Sequence, residues 1–132
     1  MTVGRLRVMV ASGNDALARR LAAEIRACGD LVVGPFGDMH DAIQSAGTVQ
    51  AAILDVTAGT QACFWVADAL RHYDLPFVLL TDAPASVPRR FRDRRTHPCH
   101  RHAAPLLDKL RRQGLALPVQ DDDGLDSAVT LA

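Results

Sequence analysis

The chain has 132 residues, 48% of them hydrophobic, which suits one domain with a single buried core and no need of covalent staples. Lys plus Arg and Asp plus Glu number 15 each, so no net field draws the whole protein to nucleic acid or to an anionic membrane. Cys28, Cys63 and Cys99 are too few and too scattered for a disulfide framework, and no apolar run reaches the roughly eighteen residues of a membrane span. A soluble cytoplasmic protein is the expectation.

RLRVMVA (5–11) holds an apolar, β-branched run of strand length. Asn14 or Asp15 then caps a helix whose Leu17, Leu21, Ile25 and Cys28 form one stripe, and Gly29 stops it. LVVG (31–34) is a second strand, followed by a helix capped by Asp38, carrying Met39, Ala42, Ile43 and Ala46, and ended by Gly47. AAILDV (51–56) is a third strand; from Thr60 a third helix sets Val66, Leu70 and Tyr73 on one side. Cys28 and Cys63 read as small core residues, Trp65 as a packing residue, His40 and His72 as surface positions. FVLL (77–80) is a fourth strand running into Thr81. Residues 84–101 hold Pro84, Pro88 and Pro98, many arginines and no apolar period; AAPLLDKLRR (103–112) returns to helix. Asp121, Asp122, Asp123 and Asp126 follow without a compensating base, so the expected organisation is a domain over 1–112 and a disordered acidic tail over 113–132.

Strands that are apolar throughout and alternate with helices indicate a parallel sheet covered on both faces. In such α/β folds, sites lie where loops leave the carboxyl ends of the strands. That rule selects the segments 12–15, 55–58 and 81–84. Asp55 is the most informative residue: it stands behind four apolar positions, where a carboxylate gains nothing from packing. It is solvated at the sheet edge, ligates a metal, acts as a nucleophile, or caps a turn. Thr81, ending the next strand, either presents its hydroxyl to whatever sits on Asp55 or caps a turn of its own.

The ordered set RVMVASGNDALARRLAAEIRACGDLVVGP, AAILDV and VADALRHYDLPFVLLTD, with the closing amphipathic helix, resembles the receiver domain of bacterial two-component response regulators over about residues 5 to 112. The resemblance implies a doubly wound, five-stranded, flavodoxin-like sheet. It implies that Asp55 occupies the phosphoacceptor position and Thr81 the position of the switch hydroxyl. The magnesium-binding acidic pair falls on Ser12 and Gly13, neither of them acidic, with Asn14 and Asp15 displaced into the helix start. The phosphate-contacting lysine falls on His97, within HPCHRH (97–102), and the strand-five aromatic falls near Arg94. Lys109 is the one lysine of the chain and Glu24 the one glutamate; the last helix is expected to keep Lys109 out of reach of the site. Sixteen positions from Thr81 to His97 leave little room, so the fourth helix is expected short or absent and the fifth strand irregular.

These losses point to a degenerate, stand-alone receiver with no enzymatic activity beyond, at most, phosphoryl acceptance at Asp55, and with no cofactor. Its partner would be a protein, such as a histidine kinase, another signalling protein or a second copy in a homodimer, met by the face of Arg89, Arg90, Arg92 and Arg101. Two alternatives stay open. One is a conventional phosphoacceptor, with Mg²⁺ held through Asn14 or Asp15; the other is a metal or redox module built from His97, Cys99, His100 and His102. Nucleic-acid binding through PRRFRDRR rests on Phe91 alone as a stacking group and is set aside, as is membrane binding.

Overall fold

The computed structural model describes residues 5–57, 61–91 and 96–116, with side chains as far as Gln113. The apolar runs form one parallel sheet of five strands in the order β2-β1-β3-β4-β5. The strands are β1 (Arg7–Ala11), β2 (Leu31–Phe36), β3 (Ala51–Asp55), β4 (Phe77–Leu80) and β5 (Thr96–His97). The helices are α1 (Asp15–Ala27), α2 (Met39–Ser45), α3 (Gln61–His72) and α4 (Ala103–Ala116). Asn14 caps α1 by accepting from the Leu17 amide, and Asp38 caps α2 by accepting from the His40 amide. The expected α/β doubly wound sheet is therefore present.

Strand parity builds two cores. Met9, Ala11, Ala52, Leu54, Phe77 and Leu79 face α2 and α3, while Val8, Val10, Ala51, Ile53, Val78 and Leu80 face α1 and α4. Residues that alternate along a strand point to opposite faces, so a strand covered on both sides must be apolar at every position. The parity also fixes the strand ends. Ser12 and Asp55 continue the α1/α4 side of β1 and β3, and His97, paired with Leu80, shares that side.

The edge departs from regularity as expected. Between β4 and β5 the described residues hold two 3₁₀ turns, Pro84–Ser86 and Arg89–Phe91, in place of a helix, and β5 is a two-residue pairing. Phe91 anchors this stretch, wholly buried against Phe64 and Phe77 at ring-centroid distances of 6.3 and 5.9 Å. The segments 58–60, 92–95 and 117–132, which include Gly59, Arg92, Arg94 and the acidic cluster, lie outside the described residues.

Four expectations need correcting. Cys28 is an exposed C-cap of α1, because the helix ends one residue before the stripe reaches it. Tyr73 lies past the end of α3 and is exposed, with its ring against Gly47. Trp65 is 53% exposed and packs into no core. Helix α4 continues past Arg112 to Ala116. Arg111 of α4 donates to the buried Asp30 carboxylate just before β2; Asp30 also accepts from the Leu6 amide at 3.0 Å.

Candidate functional site

At the carboxyl end of the sheet, Asp55 is 7% exposed and both of its oxygens are engaged. Ser12 Oγ donates to Oδ2 at 2.7 Å, and the Thr57 amide donates to Oδ1 at 2.9 Å. Ser12 is itself buried and held by the Asn14 amide, which donates to its Oγ at 3.0 Å. Gly13 faces open space, Asn14 is occupied as a helix cap, and Asp15 is exposed on α1. The carboxylate is thus satisfied by two neutral donors. Mg²⁺ takes carboxylate, carbonyl and water oxygens. Asp55 with a serine hydroxyl already directed at it does not fit that ion, and no group of three or more His, Cys, Asp or Glu gathers among the described residues.

Thr81 is buried, and its Oγ1 accepts from the Ala83 amide at 3.0 Å, the turn-capping arrangement. Its own amide donates to the His97 carbonyl at 2.9 Å. Thr81 and His97 line a cleft of about 250 Å³ with Asp82, Pro84, Thr96 and Pro98. The imidazole of His97 meets Lys109: Nζ and Nε2 are 3.3 Å apart, so the ammonium donates to a neutral ring. This corrects the expectation that α4 keeps its lysine away, for Lys109 reaches His97, the residue that the resemblance sets in the lysine's place. Partial burial, followed by the charges of Lys109 and Arg101, holds His97 below the ordinary histidine range.

The rest of HPCHRH is held by α1. Arg20 donates to the Cys99 carbonyl at 2.8 Å, to the Arg101 carbonyl at 3.2 Å and to Glu24 at 3.0 Å. Glu24 accepts from the Ala103 amide at 2.7 Å, capping α4, and meets His102 Nδ1 at 3.2 Å. Burial works to raise the Glu24 carboxyl; the bonds from Ala103, His102 and Arg20 outweigh it and hold the group below its usual range. Cys99 Sγ contacts Thr57 Oγ1 at 3.1 Å, beside the Asp55 loop. Burial raises the Cys99 thiol, the Thr57 hydroxyl opposes that, and the carboxylates of Asp55 and Asp82 reinforce it. A thiol so placed stays protonated and is a poor ligand or nucleophile. His97, Cys99 and His102 each face a different partner and His100 is exposed, so the metal and redox alternative has no assembled ligand set here.

The arginines expected to form one face are divided. Arg90 donates twice to Asp68 of α3, at 2.9 and 3.1 Å, and lies over the Phe91 ring at 4.6 Å. Arg101 sits on the other side of the sheet against α1, and Arg89 is exposed beside Arg90; Arg92 lies outside the described residues. Phe91, wholly buried, has no face to offer a nucleobase. Sequence reasoning missed the Ser12 bond and the Arg20–Glu24 clamp. Strand parity puts Ser12 and Asp55 on one side of the sheet and the four-residue spacing pairs Arg20 with Glu24, but neither pattern tells what each meets across the fold.

No family model and no curated protein sequence matches the chain. Solved structures do. The solution structure of SdrG from Sphingomonas melonis Fr1 matches at a TM-score of 0.69 with 25% identity, covering 86% of this chain and 99% of that one. The BeF3-activated conformation of SdrG from Pseudomonas melonis Fr1 matches at 0.65 with 26% identity, covering 86% and 98%. The response-regulator REC domain of PhyR from Erythrobacter litoralis, 16% identical, matches at 0.68 over 86% of this chain and 92% of its own. No helix among the described residues is long and apolar enough to cross a membrane. By strand order, helix placement and these likenesses, the chain has the fold of response-regulator receiver domains.

Proposed function

We propose that this chain is a cytoplasmic signalling module whose phosphoacceptor position, Asp55, is held at rest by Ser12, and whose output passes through protein contact. Phosphoryl transfer to a carboxylate is carried by positioning and by neutralising the charge that builds beside it. Here the hydroxyl of Ser12 replaces an acid that would bring in a metal, and His97 stands in neutral form where an ammonium would contact phosphate. Each such stabiliser is worth on the order of 3 kcal/mol, roughly a hundredfold in rate. Losing two leaves phosphorylation too slow to serve as a switch. The contact surface would lie at the exposed Arg89 or, on the other side of the sheet, at the exposed Arg101, and the partner would be a histidine kinase, another signalling protein or a second copy. No catalytic turnover belongs to this reading.

The observation that carries it is the 2.7 Å bond from Ser12 Oγ to Asp55 Oδ2. Intact-mass measurement after incubation with acetyl phosphate and Mg²⁺ tests it. The unaltered protein should gain no phosphoryl group, and the triple variant Ser12→Asp, Gly13→Asp, His97→Lys should gain one that hydroxylamine removes. Gly13 has open space for a side chain, so the restored acid there meets no obstacle. A stoichiometric adduct at Asp55 of the unaltered protein would overturn the reading. The ammonium of Lys109 beside His97 favours a second reading, a conventional phosphoacceptor with its cation supplied from α4. That reading requires both an adduct and its loss in Lys109→Met.

A further inference from the structure

Between Arg26 and Arg71 the chain contains no Lys or Arg. This basic-free span includes the whole of α2 and most of α3. Its acids are Asp30, Asp38, Asp41, Asp55 and Asp68. Asp30 is paired with Arg111, Asp68 with Arg90, and Asp55 is bonded to Ser12. Asp38 and Asp41 are left exposed at the start of α2, with no cation against either among the described residues.

Asp38 lines an open cleft of about 510 Å³ between α2 and α3, and Asp41 follows the lining residue His40 on the same helix. Met39 and Ile43 of α2 and Ala62 and Trp65 of α3 form its apolar walls, and Asp38 and His40 stand on its rim. Trp65, the single tryptophan, is 53% exposed. An exposed aromatic next to aliphatic side chains, bordered by charge of one sign, is how protein-docking surfaces are built. Tryptophan is also among the residues that most often dominate the energy of such contacts.

We infer that this cleft docks a basic amphipathic segment of a partner protein. Its aliphatic side chains enter between Met39, Ile43 and Trp65, and its Arg or Lys side chains lie on Asp38 and Asp41. The charge decides the occupant: an acidic peptide or a nucleic acid would meet the carboxylate of Asp38 on the cleft and that of Asp41 on the same helix, with no Lys or Arg among the residues lining the cleft. Helix-in-groove recognition supplies the geometry, with apolar anchors on one face and charge on the flanks. The inference extends the protein-contact reading to a defined partner chemistry, and its test uses no phosphodonor, so either can fail while the other stands.

The full chain is titrated with a Leu/Lys amphipathic peptide and with its Leu/Glu counterpart, following Trp65 emission. The lysine peptide should shift the emission to the blue and saturate at one per chain, and the glutamate peptide should do neither. Asp38→Asn with Asp41→Asn should weaken the lysine peptide about fivefold and flatten its salt dependence. Asn still caps α2, so the helix persists in that variant. Ile43→Ser should weaken binding while leaving the salt dependence intact. Equal binding of the glutamate peptide, unchanged binding in the double Asn variant, or binding without a Trp65 shift would each overturn the inference. So would concentration-dependent self-association of the unaltered protein that shifts Trp65 and is lost in the double Asn variant, since the occupant would then be a second copy.

Discussion

The middle of the sheet and its β5 edge are held by different means. Every residue of β3 and β4, and all of β1 after Arg7, is buried, and two apolar layers close over them. Thr96 and His97 are half-buried, and their surroundings are fixed by side-chain bonds: Lys109 on His97, Arg20 on two carbonyls, Glu24 on the first amide of α4. The same division runs through the candidate site. Asp55 and Ser12 adjoin the buried centre, whereas His97 ends β5 against Lys109 of α4 and Cys99 lies in the loop held by Arg20 of α1.

The strongest test of that contrast is a deletion in the middle. Ile53→Ala removes a fully buried side chain from β3 and should cost about 3 kcal/mol, seen as a lower urea midpoint with a single transition. Next in size, Glu24→Ala uncaps α4 and releases His102, for about 1 kcal/mol. Its signature should be local, as faster hydrogen exchange at Ala103 and through residues 97–102 while the amides of β3 keep their protection. Loss of protection across the whole sheet would break the contrast.

The smallest effect expected is on pH. The folded His97 titrates lower than an unfolded imidazole, whose ordinary value is about 6.5. Above that value both states are neutral and the stability contribution is complete. As pH falls through it, the unfolded chain takes up a proton that folded His97 resists, so stability declines toward the lowered folded value. Glu24 runs in a separate window: its folded value is also depressed, so its contribution is present above about 4.3 and is lost only below that. Urea midpoints measured from pH 7.5 to 5 should therefore fall more in the unaltered protein than in His97→Gln. Parallel slopes would place His97 outside the polar network of the edge.

Much of this was legible in the residues. The runs AAILDV and FVLL read as doubly buried strands, and the shortage of positions between Thr81 and His97 pointed to a short or absent helix and an irregular fifth strand, where the described residues hold two 3₁₀ turns and a two-residue β5. Trp65, Tyr73 and Cys28 were misjudged because an apolar side chain in a helical stripe looks alike whether a neighbour covers it or solvent does. Lys109 was misjudged because a long, flexible side chain can span from α4 to the sheet edge, and sequence distance carries no record of that reach.

By itself the sequence determined the order of strands and helices, the two-faced sheet, and the identity of Ser12 and Gly13 after the first strand. Local apolar periodicity and residue identity suffice for those. Tertiary structure alone decided that Ser12 bonds Asp55, that Arg20 and Glu24 hold the loop after His97, that the arginines fall on two sides of the sheet, and that Trp65 borders an open cleft. Each of these joins side chains from separate elements, and their distance is set by how the helices lie across the sheet, which no local pattern encodes.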